Sequence, residues 1–176
     1  MSSLLPNREQ ALELLRKNNC PPRVISHCVA VADLALETAN TLEEKGLKID
    51  TELVEAGAIL HDLGRSKTHS VDHAVVGAQI AQSIGLPDSV IRIIRRHVGA
   101  GITAKEAELL GWPKDIYVPQ TLEEKVVSYA DKLIDKGKRV PIETEIEKLQ
   151  KEDKFEVAEK VRRLHEEMTS LLGYKP

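Results

Sequence analysis

Apolar residues recur at helical steps along almost the whole chain, and the elements they predict are helices. Asn7 with Gln10 has the form of a capping box, opening a helix to about Lys17. Pro21-Pro22 starts a long helix with Val24, Cys28, Val31 and Ala35 on one face, and Gly46 stops it. Thr51 is expected to cap a third helix, whose face of Val54, Gly57 and Ala58 leads into His61-Asp62-Leu63-Gly64. A polar loop at 65–71 precedes a fourth helix over about 72–84, which stops at Gly85. Asp88 or Ser89 should cap a fifth, carrying Val90, Ile93 and Ile94 up to His97 and the flexible Gly99-Ala100-Gly101. A short helix covers 103–111, and the loop from Trp112 to Gln120 follows it. Thr121 with Glu124 forms another capping box, opening a helix expected to end at Gly137. Pro141 begins a final, strongly charged helical segment to about Leu172. No β-branched alternation is long enough for a strand, so the expected fold is all-α and compact, a single domain over 1–176.

Ionisable residues interrupt these apolar stripes. His27 lies beside Val31 and Leu34, His61 shares a face with Ala58, and His73 with Gly77 and Ile80. His97 continues Ile93 and Ile94, and Asp131 continues Val127 and Ile134. A buried ionisable group without a partner costs several kcal/mol, so such groups persist in company. One histidine is more often a satisfied core or surface residue than a ligand. Intrusions on five helices require five separate partners, or one shared partner such as a metal ion.

Composition narrows the classes. The apolar fraction is 41% and the charged fraction 30%, the balance of an ordinary soluble globular protein. A net charge of -3 supplies no basic field to draw the chain to nucleic acid, and 3% aromatics are too few for a stacking platform. No apolar run approaches the roughly 20 residues of a membrane span. The start lacks the shape of a signal peptide, so a cytoplasmic location is expected. Cys20 and Cys28 do not make a disulfide framework, and Cys28 reads as a small core residue.

The pattern His27 … His61-Asp62 … Asp131 resembles the HD-domain metal-dependent phosphohydrolase superfamily, over about residues 20–137. The charged segment at about 141–172 falls outside as a C-terminal extension. The resemblance implies an all-α fold in which those four residues hold one divalent ion. A subset of the family adds two intervening histidines and holds two ions, and His73 and His97 are the candidates for them here. Residues 72–78 and 124–131 are similar to bacterial HD proteins that split diadenosine tetraphosphate at a di-iron centre. In that likeness His27, His61 and Asp131 hold one ion, His73 and His97 the other, and Asp62 bridges. The position three after Asp62, commonly lysine in the family, is Arg65, which is expected to grip phosphate but not to act as a proton carrier.

An imidazole-and-carboxylate set suits iron or manganese, and also cobalt, nickel or zinc, better than calcium or magnesium. The expected activity is hydrolysis of a phosphoester or phosphoanhydride in a nucleotide or similar small phosphorylated substrate, by metal-activated hydroxide. Alternatives are a di-iron oxygenase of the same family and a regulatory module with little catalysis. Arg65 and Lys132 are the cations tied by sequence to ligand-bearing turns, and Lys67, Arg95 and Arg96 are weaker candidates. His69 offers a substitute ligand or proton donor, whereas His165 in the tail has no expected chemistry. Trp112 and Tyr117 fit packing better than a cover for a nucleobase. The apolar line of the tail, from Ile146 to Leu171, is expected to pack on its own domain, with a homodimer contact as the alternative.

Overall fold

The computed structural model describes residues 4–176. In chain order it comprises α1 (Arg8–Lys17), α2 (Pro22–Glu44), α3 (Thr51–Leu60), α4 (His73–Ser83), α5 (Asp88–Arg96), α6 (Ala104–Leu109) and α7 (Leu122–Lys132). A hairpin of β1 (Ile134–Asp135) and β2 (Lys138–Arg139) precedes α8 (Ile142–Lys151) and α9 (Phe155–Leu172). Short 3-10 turns occupy Leu63–Ser66 and Val98–Ala100. The fold is all-α apart from that hairpin.

The long helix α2 is the spine. Its stripe Val24, Cys28, Val31, Ala35 and Leu42 is buried, with α3 and α7 packed along it. Each side chain of Leu or Val size that leaves water there contributes about 1.5–3 kcal/mol. α4 lies against α5 and the Leu63–Ser66 turn, completing the layer that carries the histidines. The C-terminal helices fold back onto the same core. α9 packs on α7, on α2 and over the Val98–Ala100 turn, burying Val161, Leu164, Met168 and Leu172.

The capping boxes at Asn7 and Gln10, and at Thr121 and Glu124, are both present, and a third joins Thr103 to Glu106. Other boundaries differ from the sequence expectation. Asp50, not Thr51, caps α3, by accepting from the Leu53 N–H. Neither Asp88 nor Ser89 caps α5: Pro87 precedes the helix without a side-chain cap, and Asp88 sits in the first turn, where a carboxylate favours the dipole. α7 stops at Lys132 rather than Gly137, because the chain reverses through Lys136 and Gly137, both at positive φ (49° and 76°). A two-residue turn with both φ positive matches the twist of a hairpin. The charged tail is two helices, broken at Glu152–Lys154 with Asp153 at φ 58°.

One close approach sets the register of the histidine layer. A Cβ on Gly64 would fall 1.9 Å from the His73 carbonyl oxygen, and one on Gly77 would fall 2.9 Å from the Gly64 nitrogen. Only glycine lets the turn after His61-Asp62 touch the start of α4 this closely. That contact brings His73 up to Asp62.

Candidate metal centre

Six side chains from five helices and their ends converge. His27 comes from the second turn of α2, His61 and Asp62 from the end of α3, and His73 from the start of α4. His97 follows α5, and Asp131 lies near the end of α7. Asp131 Oδ1 is 2.9 Å from His27 Nε2 and 3.3 Å from His61 Nε2. Asp62 Oδ2 faces the same two imidazoles at 3.9 and 3.7 Å. Its other oxygen, Oδ1, lies 3.2 Å from His73 Nε2 and 3.4 Å from His97 Nε2. Asp62 thus presents one oxygen to each of two donor groups. Within each trio His27–His61–Asp131 and Asp62–His73–His97, the donor atoms lie within 4.8 Å of one another.

Three of the rings are set by the backbone. Nδ1 of His61, His73 and His97 lies 2.7 Å from the carbonyl oxygens of Ala58, Ser70 and Ile94 respectively. In the neutral ring, donation to a carbonyl places the single proton on Nδ1 and leaves Nε2 with a free lone pair. His61 Nε2 is fully buried and makes no aligned hydrogen bond. His73 Nε2 and His97 Nε2 stand 3.1 Å apart, so two lone pairs converge. Buried acceptors turned toward each other and toward carboxylates are satisfied by a cation, and this donor set fits a divalent transition metal.

The electrostatics agree. Burial opposes charge on Asp62, but the imidazoles of His61, His73 and His97 hold its carboxyl well below the usual range. Burial likewise opposes charge on Asp131, yet Lys132, His27 and His61 keep it ionised. His61 is pushed well above its ordinary value against its burial, chiefly by Asp62. Burial lowers His97 to about 4, with further lowering by the His61 and His73 charges, which suits a neutral ligand.

The surrounding residues orient the carboxylates. Arg65 Nε donates to Asp62 Oδ2 at 2.9 Å, and Lys132 Nζ pairs with Asp131 Oδ2 at 2.6 Å. Asp131 holds Lys132 charged despite burial of the ammonium. Both cations also line a cleft of about 640 Å³ with His69, His73, His97 and Asp131. Cys28 lies with its sulfur near His61 and Asp62, but burial pushes the thiol up, leaving it a neutral packing group.

Other candidates fall elsewhere. Arg96 is buried, donating to both oxygens of Glu124 and to the Ile116 carbonyl, so it braces α5 against α7 instead of meeting substrate. Arg95 pairs with Asp115, and Lys67 is exposed. Trp112 and Tyr117 pack on each other, the indole donating to Asp72 and the phenol to the Pro113 carbonyl. His165 bonds the Tyr129 hydroxyl. Residues of the tail, among them Glu145, Lys148 and Val157, line the cleft, although nothing in their local pattern signals it.

The profile of the HD domain family matches residues 24–136. This chain belongs to the HD domain family. It is 48% identical to an uncharacterized protein (MJ0778) of Methanocaldococcus jannaschii over 81% of this chain and 84% of that one. It is 37% identical to a tRNA (cytidine(56)-2'-O)-methyltransferase of Picrophilus torridus over 96% of this chain, spanning only 48% of that relative's length. Among solved structures, the HD domain of the phosphodiesterase PgpH from L. monocytogenes, in complex with cyclic-di-AMP, matches with a TM-score of 0.56. That match covers 93% of this chain and 95% of the other at 18% identity, a likeness of fold. These relatives support the HD family and not the narrower diadenosine-tetraphosphate type. Among the described residues no helix is long and apolar enough to cross a membrane.

Proposed function

We propose that this HD-domain chain is a metal-dependent phosphohydrolase, cleaving a phosphoester or phosphoanhydride of a nucleotide or similar small phosphorylated compound. The observation that carries this reading is the Asp62 carboxylate, with one oxygen toward His27 and His61 and the other toward His73 and His97. In this reading His27, His61 and Asp131 would hold one ion and His73 and His97 a second, with Asp62 placed to serve both. Divalent ions held there would polarise a phosphoryl oxygen and acidify water. The chain does the rest. Carbonyls of Ala58, Ser70 and Ile94 orient three histidines so that Nε2 faces the centre, and Lys132 and Arg65 hold the outer oxygens of Asp131 and Asp62 in place. Because Arg65 and Lys132 also line the cleft, each offers remaining N–H groups to a phosphate there.

Anaerobically purified protein, loaded with iron or manganese, should hydrolyse at least one member of a panel of phosphomonoesters, phosphodiesters and dinucleoside polyphosphates. Loss of that activity in His61→Ala is part of the expectation. Metal-loaded protein inert on the whole panel overturns the reading; iron-dependent oxygen consumption would instead favour the oxygenase alternative. A second reading has support from the Picrophilus relative, a tRNA (cytidine(56)-2'-O)-methyltransferase that this chain matches over about half of its length. In it the scissile bond belongs to RNA, and labelled RNA in the same panel separates the two.

A further inference from the structure

The centre opens on two sides, and the two sides differ in charge. The first cleft, toward α8 and α9, has apolar walls at Val98, Ile102, Leu149 and Val157, and its cations are offset by acids. Lys154 there is tied to Glu152 at 2.6 Å. A second cleft of about 610 Å³ lies on the His27 side, between the start of α2 and the hairpin turn. It is lined by Arg23, Ser26, His27, Asp62, Arg65 and Lys136, among others, and Asp62 is its one acid. Arg65 and His69 belong to both clefts and form the ridge between them.

Arg23 and Lys136 carry this cleft's character. Neither is in an ion pair with another described residue, whereas Arg65 is committed to Asp62. Lys136 is held over the cleft by the positive-φ turn of the hairpin, and Arg23 by the first turn of α2. That turn has no side-chain cap, so the positive end of a 23-residue helix adds to the field of the two side chains. Unpaired cations beside a helix start, next to His27 and Asp62, make a place for an anion at the edge of the metal centre.

We propose that the cleft of Arg23 and Lys136 is a subsite for a second, non-scissile phosphate of the substrate. The inference rests on the phosphohydrolase reading and narrows it: the substrate is a nucleotide bearing at least two phosphates, one at the metal centre and one in this cleft.

Binding separates this proposal from turnover. Calorimetry on the metal-loaded protein would compare a nucleoside bisphosphate, with a phosphate at each end of the sugar, against the nucleoside monophosphate. The expected result is about tenfold tighter binding of the bisphosphate, the scale that two exposed charge contacts supply together, weakening with salt. In Arg23→Ala/Lys136→Ala that advantage should vanish while metal content stays at the wild-type value. In Lys136→Glu the bisphosphate should bind no better than the monophosphate. An equal preference in wild type and double variant, or no preference in wild type, overturns the subsite. The outcome stands whether or not any compound is hydrolysed, so failure of the activity panel is read separately.

Discussion

The two halves of the centre are made of similar atoms in dissimilar settings. The half of His27, His61 and Asp131 faces outward, with side-chain exposures of 25%, 0% and 15%. The half of His73 and His97 is deeper, at 5% and 3%. The outer half joins ligands from the consecutive helices α2 and α3 to one from the distant α7, and leans on the Lys132 ammonium. The inner half is built from consecutive helices, α4 and α5, and both of its imidazoles are fixed by backbone carbonyls. The outer half is therefore tunable by side chains and solvent through His27, Asp131 and Lys132, whereas the inner half, like the buried and carbonyl-held His61, is set by the fold.

The largest effect should come from the residue the halves share. Asp62→Ala removes an oxygen from both, and turnover should fall by roughly a thousandfold, the scale of several kcal/mol of Lewis-acid stabilisation. Metal analysis should show both ions weakened together; loss of one alone would break the comparison. His73→Ala and His97→Ala should each remove one ion and leave the other, with turnover down about a hundredfold. A full complement of metal in either variant would contradict the inner assignment. Lys132→Met should weaken the outer ion by about ten- to a hundredfold while sparing the inner one, and competition with a chelator measures this.

The smallest effect is in pH, and its sign differs between halves. Asp62 holds a proton on His61 above the imidazole's ordinary range, and a cation taking Nε2 must displace it. Affinity at the outer half should therefore rise with pH, by up to about tenfold per unit for one proton released. His97 is neutral down to about pH 4, so its ring demands no such release. Metal titrations across that range, on His61→Ala and His97→Ala, should show the steeper slope in the variant that keeps His61. Equal slopes would remove the electrostatic part of the comparison.

The ligand candidates were legible because each is an ionisable residue at a core-facing helical position, and those positions meet where the helices meet. The two-sided placement of Asp62 was not legible from spacing, which does not say which oxygen faces which ring. Nothing in the sequence shows the role of Gly64, a backbone contact with His73 that depends on α4 being in place. The hairpin was missed because its strands are two residues each, too short to alternate, and Gly137 resembles a helix terminator. The break in the tail has no glycine or proline to mark it; Asp153 adopts positive φ there. Arg96 could be read as a phosphate ligand until Glu124, 28 residues on, was seen to take it.

The most direct measurement is the metal content of anaerobically purified protein and of its His73→Ala and His97→Ala variants. The expected result is two equivalents of iron or manganese in the wild type and one in each variant. One equivalent in the wild type, unchanged by either substitution, would contradict a centre of two halves joined by Asp62.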